Sequence, residues 1–206
     1  LLLATDPIGD FPVAFALVRA NDQDHMRRFL DNLRVHGFLP RVVVTDGSNL
    51  YPAVLGELWP DAEHQLCAFH VIKEINGLVL DAVRRLKGAM ARRGKAGRKK
   101  KRGRKTRQAK AAADRRGPTV KEKAYFVFKH RHLVVKRREG LTDPGRDDLA
   151  RMLDYLPGLA VLRRFADRMY WLFDTPGDAH QAGCRRAVIL RDAEFRAVPE
   201  LAKALE

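Results

Sequence analysis

Cysteine is nearly missing from this chain. Cys67 and Cys184 are the only two among 206 residues, too few to staple a protein of this length, which excludes a disulfide-rich secreted scaffold and points to a reducing compartment. Long hydrophobic runs are missing as well. No stretch approaches the roughly 18 apolar residues of a membrane span, and the opening LLLATDPIGD has no basic region ahead of its short apolar run, so neither a spanning helix nor a secretory leader is expected. No internal repeat is visible, which argues against a solenoid. Acid is the third absence, and it is local. Between Arg84 and Arg116 there are 17 Lys and Arg against one acid, Asp114, a balance of +16 that leaves the rest of a +15 chain at −1.

What remains is a near-neutral globular sequence, 46% hydrophobic and 32% charged, carrying one basic stretch, RRGKAGRKKKRGRKTRQAK. Like charges at that density repel one another and keep the chain extended until a polyanion neutralises them, and nucleic acid is the usual polyanion. Arg98, Lys99, Lys100, Lys101, Arg102, Arg104 and Lys105 are the candidate nucleic-acid contacts. A solvated linker, or the entry to an insertion, is the competing role. The run KRGRKT lacks the proline that usually follows an Arg-Gly-Arg minor-groove hook, because Lys105 stands in its place.

Ahead of the basic stretch, strands alternate with helices. Residues 1–5 and 11–19 are apolar runs separated by Pro7, Gly9 and Asp10, the pattern of an antiparallel hairpin. Asn21 is placed to cap a helix that Asp22 and Asp24 favour electrostatically, whose apolar stripe is Met26, Phe29, Leu30 and Leu33 and which Gly37 and Pro40 stop. The run Val42–Val44 is apolar on both faces, as in an interior parallel strand covered by helices on each side. Ser48 or Asn49 is expected to cap the next helix, which buries Tyr51, Val54, Leu55, Leu58 and Trp59 and tolerates Pro52 in its first turn. The run HQLCAF reads as a short strand, and a long helix from about Val71, with Ile72, Ile75, Val79, Val83 and Leu86 on one face, leads into the basic stretch. Beyond it the periodicity is helical throughout, although YFVF taken alone could be a strand. Trp59 and Trp171 lie on apolar helical stripes and read as core.

The string VVVTDGSNLYPAVLGELWPDAEHQLCAFHVIKEIN, residues 42–76, resembles the second-aspartate block of DDE transposases, the RNase H-like enzymes of insertion sequences, and is most like the ISL3 and Mutator-like groups. The resemblance rests on Thr45-Asp46-Gly47 at a strand end, Tyr51 in the following helix, and Cys67, His70, Lys73 and Asn76 at and after the next strand. It implies an α/β fold with a partial RNase H-like mixed sheet in residues 1–83, a basic segment at 84–118, and a mostly α-helical insertion at 119–206. It also implies DNA cleavage and strand transfer at element ends, with Mg²⁺ or Mn²⁺ as cofactor. Element and target DNA are the implied partners, with no membrane, a cytoplasmic, nucleoid-associated location, and a homo-oligomer when the protein is complete.

In that reading Asp46 is the catalytic metal ligand, because a carboxylate at the carboxyl end of a central strand projects into the crevice where open α/β sheets bind ligands. An Asp-Gly turn is its competing role. His70 lies near the active site, contacting DNA or orienting a catalytic group, while Cys67 is expected to pack within the sheet. A zinc site from Cys67, His70, His180 and Cys184 is disfavoured by the unlike spacings of the two pairs.

The family also requires a first aspartate on the first strand and a final glutamate on a late helix. Only two strands can be read before Asn21 where an RNase H-like sheet has three, so the first aspartate is expected upstream of Leu1, with Asp6 as the internal substitute and otherwise a turn residue. Glu194, Glu200 and Glu206 are candidates for the last acid without a matching context. A fragment carrying one catalytic residue of three is the expectation. A non-catalytic DNA- or RNA-binding remnant of a transposase is the rival.

Overall fold

Alternating apolar residues at the start of the chain close a hairpin. Strand β1 (Leu2–Asp6) pairs antiparallel with β2 (Phe11–Ala16), in a register that runs from Leu2 opposite Ala16 to Asp6 opposite Phe11 and is interrupted by an irregularity between Ala4 and Thr5. The computed structural model describes residues 1–6, 9, 11–93, 117–174 and 178–206, and divides into two compact units, Leu1–Val71 and Ile72–Glu206.

In the first unit helix α1 (Gln23–Val35) is capped by Asp22, whose carboxylate accepts the His25 amide at 2.9 Å. The expected cap, Asn21, lies one residue too early; Asp22 holds the extended backbone that aims a side chain back at the first turn. The helix stops as anticipated at Gly37, with φ +84°. There Phe38 N–H donates to Leu33 O at 3.0 Å and Gly37 N–H to Arg34 O at 2.9 Å, the paired bonds of a left-handed helix terminus that favours glycine.

Strand β3 (Val42–Thr45) is joined through α2 (Tyr51–Leu58) to β4 (Glu63–Leu66), its parallel neighbour, with Val42 opposite Glu63 and Thr45 opposite Leu66. Helix α2 has Leu50, not Ser48 or Asn49, at its N-cap, and no side chain caps it. Its Pro52 sits in the first turn, where a missing N–H costs nothing.

Leu2, Met26, Phe29, Leu30, Leu33, Val54, Leu55 and Trp59 form the core of this unit, with Ala4, Val13, Val43 and Tyr51 packed on its rim. The Trp59 indole donates to Phe38 O at 3.1 Å, which satisfies its polar edge beside the core. The other sheet face is open. Val42 and Val44 are each 49% exposed, so β3 is covered on one side only, in contrast to the doubly covered strand expected from its composition. Helices α1 and α2 both pack on the Val43 side, and among the described residues β1 and β3 are not hydrogen-bonded to each other.

Helix α3 (Ala68–Arg93) starts three residues earlier than expected, cutting the HQLCAF strand short at Leu66. In the second unit it buries Ile75, Val79, Ala82 and Val83. Helices α4 (Val120–Lys129), α5 (Asp143–Tyr155), α6 (Leu159–Phe173), α7 (Ala179–Arg191), α8 (Ala193–Arg196) and α9 (Pro199–Ala204) follow, with a 3-10 turn at Arg131–Val134. The run YFVF is thus helical. Thr119 and Glu122 form a reciprocal capping box that sets the helix start before the β-favouring residues are reached. The second core is built on Val127, Met152, Leu159, Leu162, Phe165, Ile189, Phe195 and Leu201, with the Phe165 and Phe195 rings edge to face at 5.1 Å. The architecture as a whole is α/β, mostly helical, with two small two-stranded sheets.

One buried charge holds this unit together. Arg163 is 6% exposed, pairs with Asp167 at 2.7 Å, and donates to the carbonyls of Leu133 at 3.0 Å and Val134 at 3.2 Å at the end of the 3-10 turn. Arg163→Ala leaves those carbonyls without their donor in a low-dielectric site and is expected to destabilise the unit by about 3 kcal/mol. Lys should rescue only in part, because one ammonium cannot span a fork of several acceptors. Urea denaturation checks this; an unchanged midpoint for Arg163→Ala would contradict it.

Candidate active site at the carboxyl edge of the parallel pair

Thr45 and Leu66 are register partners at the ends of β3 and β4, so the next residue on each strand emerges at one edge of the sheet. Those residues are Asp46 and Cys67. The Cys67 amide donates to Thr45 O at 2.7 Å, which fixes the two chain ends side by side, and His70 lies one turn into α3, its amide donating to Cys67 O at 3.0 Å. Asp46, Cys67 and His70 are therefore at the carboxyl edge of the parallel pair, as their order in the sequence predicts.

Asp46 is exposed, and its Oδ1 accepts the Ser48 amide at 3.2 Å. This is an Asx turn, so the turn role of Asp46 is real, and it uses one carboxylate oxygen. Behind it Thr45 is 8% exposed; its hydroxyl donates to Asp46 O at 2.9 Å and lies 2.7 Å from His64 Nε2. His64 is the residue the sequence reading missed. The signal lies in the β4 register, which places His64 opposite Val43, within reach of the Thr45 hydroxyl two residues along β3. Tyr51 opens α2 close enough to sense the site: burial raises its phenol above the usual value, and the Asp46 carboxylate adds to that.

Cys67 does not pack within the sheet. It follows the strand, half-buried, and the His70 side chain, together with the amides of His70 and Phe69, holds its thiol below the usual cysteine value. The largest cause is the His70 side chain, one turn into α3, and the amides at the start of that helix add to it. His70 itself is half-buried, with Nδ1 hydrogen-bonded to nothing. The alkylation rate of Cys67 should therefore rise at lower pH in the folded chain than in urea, since the thiolate forms earlier. His70→Ala should shift the profile upward. Superimposable profiles for wild type and variant would contradict this reading.

The other candidates fall elsewhere. Asp6 is the last residue of β1, opposite Phe11, and among the described residues β1 pairs with β2 and not with β3. Glu200 binds Arg85 at 2.6 and 2.9 Å, and Arg85 holds its carboxyl below the ordinary range. Glu194 binds Arg164 at 2.7 Å. Both late glutamates thus have structural partners in the helical unit. Asn76 donates to the Tyr170 hydroxyl at 3.2 Å, a packing role. The seven basic candidates from Arg98 to Lys105 lie outside the described residues.

Asp46 fits a hard divalent ion as one ligand, because an exposed carboxylate with one oxygen engaged by an amide keeps the other for coordination. It does not make a complete site. Among the described residues no three His, Cys, Asp or Glu side chains stand together as a metal cluster.

An α/β unit with an acid at the carboxyl edge of parallel strands, continued by a helical unit, matches a known pattern over nearly its whole length. The family model of ISL3-type DDE transposases, described as transposase, matches residues 10–206. The chain belongs to this transposase family. The matched range takes in the basic segment and the helical unit. No curated protein and no solved structure matches the chain. Among the described residues no helix is long and apolar enough to cross a membrane.

Proposed function

We propose that this chain is the part of a transposase that supplies the second acidic ligand for DNA cleavage and strand transfer at the ends of an insertion sequence. The observation that carries the proposal is the position of Asp46, at the carboxyl edge of β3 beside the start of α3, within a chain that matches the family from residue 10 to residue 206. The RNase H-like assignment is supported by the order hairpin, helix, strand, helix, strand, helix, and by the parallel pairing of β3 with β4. In an RNase H-like order another strand would stand between the hairpin and β3, and among the described residues β1 and β3 belong to separate sheets.

The family generally uses divalent metals, and when bound these activate the attacking oxygen and offset charge on the leaving one. The chain's own residues do the positioning. Ser48 N–H fixes the Asp46 carboxylate through Oδ1, and Thr45 holds the backbone of Asp46 from below, tied in turn to His64. Tyr51, with its phenol neutral over an extended pH range, adds no competing charge beside that carboxylate. The basic segment and the cations of the helical unit are assigned to the DNA phosphates.

The deciding experiment is a strand-transfer assay on element-end DNA with the full-length protein and its Asp46→Asn variant. Loss of joining with retained DNA binding supports the proposal. Joining by the variant at wild-type rate would remove Asp46 from the site, and absence of joining by both would favour the DNA-binding remnant.

A further inference from the structure

Helix α4 turns the wrong side chains toward solvent. Its buried face is Ala124 and Val127, and the exposed stripe flanking it is Lys121, Tyr125, Phe128 and Lys129, at the i, i+4, i+7 and i+8 positions of a helix. Tyr125 is 67% exposed and Phe128 is 40% exposed. Around Phe128 two cations gather, Lys87 Nζ of α3 at 4.9 Å and Arg131 Cζ at 4.4 Å from the ring centre. Beside them Lys123 Nζ lies 5.0 Å from the Tyr155 ring, and Arg151 Cζ lies 5.4 Å from the Phe126 ring.

Arg84, Arg85, Arg137, Arg138, Arg146, Arg163 and Arg164 each have a carboxylate partner, whereas Lys87, Lys121, Lys123, Lys129, Arg131 and Arg151 have none among the described residues. The one acid in the first turn of α4, Glu122, is spent on the Thr119 amide at 2.7 Å. Asp148, on the neighbouring α5, faces His130 at 3.2 Å. The surface is thus cationic around the exposed Tyr125 ring, with Lys87 and Arg131 lying over the Phe128 ring beside it, and it adjoins in the chain the basic segment that ends where Gly117 leads into α4.

We propose that this face of α4 binds single-stranded DNA, with unpaired bases stacked on the exposed Tyr125 ring and packed against the edge of Phe128, and phosphates held by Lys87, Lys121 and Lys129. The proposal rests on the reading that the protein acts on DNA, and it adds the form of DNA and the place. Duplex DNA offers phosphates but keeps its base faces stacked inside, so it can use the cations and not the rings. A single strand uses both, and stacking on aromatic rings tolerates any base. Bases freed from pairing at a cut end are the natural occupants.

The test uses the full chain, a labelled oligothymidylate, and a duplex of equal length as comparison. Tyr125→Leu with Phe128→Leu keeps an apolar, helix-favouring side chain at both positions. Single-strand affinity should fall by roughly tenfold to a hundredfold in this double variant, while duplex affinity and its salt dependence stay as in wild type. Tyr125→Trp, which restores a ring, should retain single-strand binding. Oligonucleotides carrying 5-iodouracil should photo-crosslink to Tyr125 or Phe128.

Unchanged single-strand affinity in the double variant, an equal fall for duplex, or crosslinks confined to other residues would overturn the proposal. Circular dichroism and thermal melting establish that the double variant is folded, and Tyr125→Leu alone carries the same prediction should it not be. Asp46→Asn separates the two readings: it should bind single strands as wild type does, so a failure of strand-transfer chemistry and a failure of this surface appear in different assays.

Discussion

Asp46→Asn in the full-length protein is expected to reduce strand transfer on element-end DNA by several orders of magnitude while changing DNA affinity less than threefold, roughly the range over which an exposed neutral substitution acts. Asn keeps the shape of the side chain and can still accept the Ser48 amide, so the Asx turn after β3 should survive. It loses only the negative charge. A hard divalent ion binds carboxylate oxygen and does not hold an amide oxygen as firmly, so the loss falls on chemistry and leaves folding alone. The thermal midpoint of the variant should match wild type, because Asp46 is exposed. A large fall in midpoint would mean that Asp46 acts mainly as a turn residue, and that its effect on joining is indirect.

The second large effect concerns salt. If the segment from Arg98 to Lys105 contacts phosphates, the logarithm of duplex affinity should fall with the logarithm of salt concentration at about 0.9 per phosphate contacted, with little preference for sequence. Replacing Lys99, Lys100 and Lys101 with Gln should lower that slope by up to about 2.7 if all three make such contacts. Affinity at low salt would then drop by orders of magnitude, and the gap between variant and wild type would close as salt rises. A slope that does not move would transfer the phosphate contacts to the helical unit, where Lys87, Lys121 and Lys129 are the unpaired candidates.

Those cations were invisible to pattern reading, and the reason is physical. Helical periodicity finds a stripe by its apolar members, and in α4 apolar residues follow one another without a gap, so YFVF reads as helix or strand and its exposed side is not marked. In α1 the opposite holds. Met26, Phe29, Leu30 and Leu33 are the only apolar residues at core spacing, and all four are buried. The error at β3 has a different source. Three β-branched residues can line a doubly covered strand or an open one, and composition does not say how many faces have neighbours. Arg163 could not have been found either, since its partners are backbone carbonyls some thirty residues away.

The placement of Asp46 and His70 was more legible than the fold around them. Thr45-Asp46-Gly47 and Cys67-Ala68-Phe69-His70 are each short, yet their joint spacing carries the geometry: the residues after two parallel strands emerge together when a single helix joins them. Cys67 was misplaced because the boundary between strand and helix falls one residue before it, and a one-residue change moves a side chain from sheet face to helix start. His64 had no signature, because a histidine in a four-residue strand with every position exposed looks like surface until the Thr45 hydroxyl is placed 2.7 Å from it.

The role of Asp46 can be tested without activity, by titrating Mn²⁺ into the isotopically labelled protein bound to element-end DNA. Paramagnetic broadening should appear first at the amides of Gly47 and Ser48, then at Cys67 across the strand ends, and it should vanish in Asp46→Asn. Broadening centred elsewhere, or broadening at Gly47 and Ser48 that survives in Asp46→Asn, would show that Asp46 is not a metal ligand.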